Sequence, residues 1–254
     1  MPGVEELYGI IDELAPFAGA EPYDNSGILY NGGRDTGRIL FALDITGETI
    51  AEAVELGCGL LISHHPVLFG GAKYIDAGDP IACAIRNNIS LIAAHTNLDR
   101  AKNGTSDSLA KKIELMVTGE TEDGLGRIGV FEKALSPQDF CSHIMRLFGL
   151  RNLLVVPGVK QVQKVAVLAG AGGNLSAIAA DRTLSVDAIV TGETSYHHAL
   201  EAGRNGITLV ALGHCLSEIP GLMCLKAEVE KQLGDRAECF FSVLNTDPFR
   251  YLQY

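Results

Sequence analysis

Six of the seven histidines in this 254-residue chain fall at four places: His64 with His65, His95, His197 with His198, and His214. Imidazole binds metals and carries protons near neutral pH. His64–His65, His95 and His214 each follow a short apolar run that reads as a strand, and strand ends are where open α/β sheets gather ligand-binding groups. In Ser63-His64-His65-Pro66, adjacent side chains of a regular strand would face opposite ways. The proline halts the strand, so the backbone can turn and bring both rings to one polar cavity. His95-Thr96-Asn97-Leu98-Asp99 adds a carboxylate beyond the next strand. His214-Cys215-Leu216-Ser217-Glu218 sets a histidine and a carboxylate four apart, on one face if a helix starts there. Three histidines and two carboxylates form the mixed nitrogen and oxygen donor set of a transition-metal site. Five ligands exceed the needs of one ion with an open position. Two ions roughly 3.5–4 Å apart, bridged by a carboxylate, would use them all. The competing reading makes these residues helix caps and satisfied core polars. His143 stands apart on an amphipathic stretch, and Cys215 is expected to be a small packed thiol.

The elements that must position these groups alternate. Strands are expected at 38–43, 59–63 and 90–94, with helices at 4–15, from Thr46 to about 55, 80–87 and 106–115. A break at Gly124-Leu125-Gly126 separates this half from a second one. There, strands are expected at 127–131, 152–156, 164–168, 187–190, 207–211 and 238–243, with helices from Pro137, after the glycines at 170–173, at 195–202 and at 216–233. Alternating strands and amphipathic helices define an α/β class, with a first half at 1–125 and a second at 126–254. Arg86-Asn87-Asn88-Ile89-Ser90-Leu91-Ile92-Ala93-Ala94-His95 resembles Arg204-Asn205-Gly206-Ile207-Thr208-Leu209-Val210-Ala211-Leu212-Gly213-His214 with one residue extra, and a His-His pair lies upstream of each. The match predicts two related, intertwined α/β halves. Ala169-Gly170-Ala171-Gly172-Gly173 lacks the Lys-Ser/Thr of a P-loop and the spacing of a dinucleotide fingerprint. It reads as a tight structural turn rather than a phosphate cradle.

With 20 Lys+Arg against 31 Asp+Glu, the formal net charge is −11, which argues against nucleic acid and anionic membrane surfaces as partners. Hydrophobic residues make up 47% and charged ones 20%, the balance of a globular chain. Six cysteines without a Cys-x-x-Cys or a regular framework fit reduced thiols. Without a signal-peptide layout at the amino terminus or a membrane-length apolar run, a cytoplasmic protein is expected.

Three segments, Ser63-His64-His65-Pro66-Val67-Leu68-Phe69, Ala94-His95-Thr96-Asn97-Leu98-Asp99 and Gly213-His214-Cys215-Leu216-Ser217-Glu218, resemble the signature segments of the Nif-three-like family, known as dinuclear metal centre proteins or GTP cyclohydrolase I type 2 homologues. Asp24-Asn25-Ser26-Gly27 and Leu43-Asp44-Ile45-Thr46 resemble two further family motifs. The likeness runs from about residue 4 to 243. It implies a Nif-three-like fold with mixed sheets and two divalent ions per chain (zinc, iron or manganese), held by His64, His65, Asp99, His214 and a bridging Glu218. It further implies His95 beside the site, a segment Thr191 to His198 (with Glu193, His197 and His198) near the cleft, and a toroidal homo-hexamer. His197 and His198 could handle protons or a substrate phosphate, or simply face a helix surface. Tyr23 stands where many relatives have tryptophan. The chain also lacks room for the domain that longer relatives insert. The implied activity is metal-dependent hydrolysis of a nucleotide or phosphorylated small molecule, GTP ring opening included. The alternative is a metal-stabilised scaffold or regulatory partner-binding protein without turnover.

Overall fold

A computed structural model of the chain describes residues 1–68, 72–172, 178 and 185–250. It divides into two compact units: Met1–Gly104 together with Leu222–Tyr254, and Thr105–Gly221. The chain therefore leaves the first unit and returns to it, whereas the sequence reading divides it once, at 125/126. Strand pairing accounts for the difference. Glu238–Phe241, at the far end of the chain, pairs in parallel with Arg38–Ala42. Thr105–Lys112 packs its Leu109 and Ala110 with the apolar side chains of the second unit.

The first unit is built on β1 (Gly27–Tyr30), β2 (Arg38–Ala42), β3 (Leu60–Ser63) and β4 (Ser90–Ala93), with the C-terminal strand Glu238–Phe241 at one edge. The order is β1-β4-β3-β2 followed by that C-terminal strand. All neighbours run parallel except β1, which is antiparallel to β4. The strands read as nearly continuous apolar runs because both faces are covered, as parallel sheets require. Ile39, Phe41, Leu60, Ile62 and Ile92 meet α1 (Val4–Leu14) and the Leu222, Leu225 and Val229 end of the last helix. The alternate residues Leu40, Leu61 and Leu91 meet Ile50 and Ala53 of α2 (Gly47–Glu55) and Ile81 and Ala84 of α3 (Pro80–Asn87). A fourth helix, α4 (Thr96–Arg100), replaces the loop expected after β4.

The second unit holds α5 (Thr105–Lys112), β5 (Met116–Glu120), β6 (Arg127–Leu135), α6 (Pro137–Phe148), β7 (Leu154–Val156), β8 (Val162–Leu168), β9 (Ala188–Thr191), α7 (Tyr196–Arg204) and β10 (Thr208–Ala211). Its strand order is β5-β6-β8-β9-β10-β7, with β8, β9 and β10 parallel and the others antiparallel. Val165, Val167, Val190 and Val210 pack on Leu109, Phe140 and Ile144, while Ala166, Leu168, Ile189 and Leu209 turn to the other face with Ala202. Helix α8 (His214–Leu233) begins here and ends in the first unit. The edge strand β11 is the Glu238–Phe241 segment already described. The helix expected after the glycine turn, and Phe69 of the His-His segment, lie outside the described residues.

Both units are thus α/β with a mixed sheet, and the repeat read from the sequence is structural. In each copy a helix ends at a residue of positive φ, Asn88 at 52° and Gly206 at 67°. The next residue then donates five positions back, Ile89 to Ala84 and Ile207 to Ala202. The residue after that opens a strand. The His-His pairs, by contrast, are not counterparts. β3 pairs with β4 through Ser63 and Ala93, and β9 with β10 through Thr191 and Ala211. The register places Gly192-Glu193 where His64-His65 stand, while His197 and His198 lie in the first turn of α7. No helix among the described residues is long and apolar enough to cross a membrane.

Candidate metal site

In the first unit the expected turn after β3 is present. His64 N and His65 N extend the ladder to Ala42 O and Leu43 O at 3.4 and 2.9 Å, and Ser63 Oγ donates to His65 O at 2.8 Å. This local fold turns both rings to one side, with centroids 4.9 Å apart. His95, just past β4, joins them at 5.2 Å from His64 and 5.5 Å from His65. One donor atom from each of His64, His65 and His95 lies within 4.8 Å of the others, a grouping able to hold a metal ion. Asp99, on α4, places Oδ1 3.5 Å from His64 Nε2.

Every ring in this group is fixed from behind. His64 Nδ1 meets Ala94 O at 2.8 Å, His65 Nδ1 meets Asp44 Oδ1 at 2.7 Å, and His95 Nδ1 meets Asp24 Oδ1 at 2.8 Å. An oxygen acceptor at Nδ1 calls for the proton there and leaves the Nε2 lone pair facing the cluster. Metal-ligating histidines are held in this way, through a carboxylate or carbonyl behind the ring.

Asp24 is the most constrained of these groups. Its side chain is fully buried, and it accepts hydrogen bonds from Asn25 N, Ser26 Oγ, Thr96 N and Thr96 Oγ1 besides His95. Burial by itself would raise its pKa. The hydrogen bonds from His95, Thr96 and Ser26 outweigh burial and hold the carboxyl well below the usual carboxylate range. Tyr23 is 71% exposed. Burial of its hydroxyl and the neighbouring charges of Glu21, Asp24 and Asp99 raise its pKa.

In the second unit His214 opens α8 and meets Glu218 one turn later, Nε2 to Oε1 at 3.1 Å. The one-face reading of that spacing therefore holds. Its Nδ1 lies 3.0 Å from Glu193 Oε1, the same support from behind as in the first unit. Glu218 is only 3% exposed. The glycine turn after β8 serves this pair. Gly170 has φ +63°, and a Cβ there would come within 2.1 Å of Glu218 Oε1 and 3.5 Å of His214 Nε2. Gly170 N donates to Ser217 Oγ at 2.9 Å. Glycine is thus needed where the backbone passes the carboxylate, in keeping with a structural turn. His197 is exposed and stacks edge-on with Tyr196, centroids 5.6 Å apart. Neither His197 nor His198 belongs to the described histidine clusters.

The residues fit a divalent ion: neutral imidazole nitrogens held by oxygens behind them, with carboxylates beside them, suit zinc, iron or manganese. Sequence reasoning singled out Asp24 and Asp44 only as parts of motifs. Their task, gripping Nδ1 of His95 and His65, depends on contacts 71 and 21 residues apart, for which spacing offers no signal.

Comparison with known proteins agrees with this fold. Residues 2–248 match the family described as Duf34/NIF3 (NGG1p interacting factor 3). A protein of Clostridium perfringens named GTP cyclohydrolase 1 type 2 homolog is 32% identical, over 98% of this chain and 99% of its own length. One of the same name from Clostridium acetobutylicum is 30% identical, over 98% of each. The crystal structure of a Bacillus cereus protein related to NIF3 superposes with a TM-score of 0.89 at 22% identity, covering 99% of each chain. The class is a two-unit α/β protein with His/carboxylate groups able to hold metal. The chain belongs to the Duf34/NIF3 family.

Proposed function

We propose that this protein is a metal-dependent hydrolase acting on a nucleotide or a phosphorylated small molecule. In this reading His64, His65, Asp99, His214 and Glu218 would together hold two divalent ions. The observation that carries the reading is the oxygen behind Nδ1 of His64, His65, His95 and His214. Core histidines also need an acceptor, but they have no need to bring the donor atoms of three rings within 4.8 Å of one another, as His64, His65 and His95 do. The name GTP cyclohydrolase 1 type 2 homolog, borne by relatives at about 30% identity, favours a nucleotide, with GTP the first to try.

Bound divalent ions would supply Lewis acidity and a hydroxide nucleophile at neutral pH. The chain's own residues supply the rest. Asp44, Ala94 O and Glu193 orient the ligand rings. Asp24 holds the proton on His95 Nδ1, which makes Nε2 the ring's acceptor for a proton from solvent or substrate in this reading. Glu193 supports His214, and in this reading His197 and His198, in the first turn of α7, would meet a substrate phosphate. The test is metal analysis of the purified protein with a turnover screen of GTP, other nucleotides and phosphate esters. His65→Ala and Glu218→Ala should lose metal and turnover together. Turnover by a variant that holds no metal would refute the reading.

One observation favours a second reading. The family description itself names an interacting factor, which suits a metal-stabilised scaffold or regulatory partner without turnover. Water exchange at the bound ions separates the two, since closed shells of protein ligands leave no open position. We further propose a toroidal homo-hexamer, to be tested by native mass spectrometry. A cytoplasmic location is supported by six cysteines present as free thiols.

A further inference from the structure

The C-terminal tail continues past β11 beside β2. Ser242 N donates to Phe41 O at 2.7 Å, adding one rung to the ladder. Beyond it the tail is held by two carboxylates. Glu52 of α2 accepts from Ser242 Oγ and from Val243 N, and Asp44 Oδ2 accepts from Thr246 Oγ1. The other oxygen of Asp44 grips His65 Nδ1. Apolar burial contributes little to this docking, because Val243 is 88% and Phe249 75% exposed. The tail forms its own short turns, Leu244 N to Ser242 Oγ, Asp247 N to Asn245 Oδ1 and Phe249 N to Asp247 Oδ1. These leave Thr246 as its contact with the site.

We propose that Thr246 is a positioning residue for His65: by binding one oxygen of Asp44 it fixes the carboxylate so that the other oxygen holds the imidazole as the Nδ1–H tautomer, Nε2 toward the metal. The terminal torsion of a carboxylate is broad, and each hydrogen bond to one of its oxygens narrows it. Thr246 adds such a restraint to Asp44 and so to the ring that Asp44 grips. Supports of this kind behind a ligand commonly change metal affinity by about 10- to 100-fold. Coupling of this sort is reciprocal, so metal at His65 should also tighten the tail.

The proposal rests on the metal-site reading for its affinity consequence, and the experiment separates the two. In the full chain, Thr246→Val and Thr246→Ser are compared with wild type after circular dichroism confirms the fold. The first readout needs no metal. Long-range proton–nitrogen NMR of His65 at pH 8 should show the Nδ1–H tautomer in wild type and Thr246→Ser, and a mixture in Thr246→Val. The second is Zn²⁺ affinity by chelator competition, expected to fall about tenfold or more in Thr246→Val and to recover in Thr246→Ser. Added Zn²⁺ should also slow hydrogen exchange of the 243–247 amides in wild type. A wild-type tautomer in Thr246→Val, or failure of serine to restore it, overturns the positioning role. Absence of Zn²⁺ binding by wild type would overturn the metal reading instead, and the tautomer comparison would still decide the role of Thr246.

Discussion

The site's residues depend on groups that touch no ligand themselves, and Asp24 shows how much is invested in one of them. Each donor around it, His95 Nδ1, Asn25 N, Ser26 Oγ, Thr96 N and Thr96 Oγ1, points a hydrogen at a carboxylate. Asp24→Asn keeps the volume but turns an NH2 toward donors, leaving buried polar groups unmet. The expected cost is on the order of 2 kcal/mol, read as a lower urea midpoint with an unchanged slope. Gly170 makes the opposite demand, for the absence of an atom. Gly170→Ala combines a left-handed backbone with a Cβ 2.1 Å from Glu218 Oε1. A loss of about 1–3 kcal/mol is expected, together with weaker metal retention on dialysis, because Glu218 must move away from His214. A stable Gly170→Ala protein that keeps its metal would contradict that placement.

At the scale of elements, the repeated helix–turn–strand unit works because one residue in each copy adopts positive φ. Asparagine tolerates that conformation and alanine does not, whereas glycine adopts it freely. Asn88→Gly should therefore leave stability within a few tenths of a kcal/mol, while Asn88→Ala should cost about 1 kcal/mol, measured by chemical denaturation. The β4 unit of this motif, with its turn residues and apolar run, was legible from periodicity and composition. So were the α/β alternation and the helix face shared by His214 and Glu218. Three short elements, β1, α4 and β5, were not. α4 reads as a loop because Thr96-Asn97-Leu98-Asp99-Arg100 carries no apolar stripe, and it is stabilised by tertiary bonds such as Asn97 Nδ2 to Ala15 O. β5 is exposed along its length, so it shows no alternation of buried and exposed positions for a pattern to reveal.

At the scale of the whole molecule, the sheet of the first unit joins strands from both parts of the chain that flank the second unit, β1 to β4 and β11. Cys58 and Cys239 lie buried there, and burial is the main cause that pushes each thiol up to about 11. The folded state therefore holds these protons more tightly than the unfolded chain, whose thiols titrate near 9. Their contribution is complete below about pH 9 and is lost as pH rises to about 11, on the order of 1 kcal/mol per pH unit. Urea midpoints recorded from pH 8 to 11 should fall over that window, and fall less in Cys239→Ala. Metal removal is expected to act on the whole molecule as well. A ligand that binds only the folded state stabilises it by mass action, so a chelator should lower Tm in wild type and leave Tm unchanged in His65→Ala. An equal drop in both proteins would place the ion elsewhere.

The sequence by itself determined the class of the fold and the repeat, and it narrowed the candidate ligands to histidines and carboxylates near strand ends, because those follow from local periodicity and residue types. The set of five among them is what the family resemblance implies. Only the tertiary structure decided where the units divide, that His197 and His198 are not counterparts of His64 and His65, and which oxygens stand behind the rings. The reason is physical. Strand register, and hydrogen bonds such as Asp24 to His95, Asp44 to His65 and Thr246 to Asp44, join residues 21 to 202 positions apart. Pairing at that range is set by packing and by the need to satisfy buried polar groups, for which local spacing carries no signature.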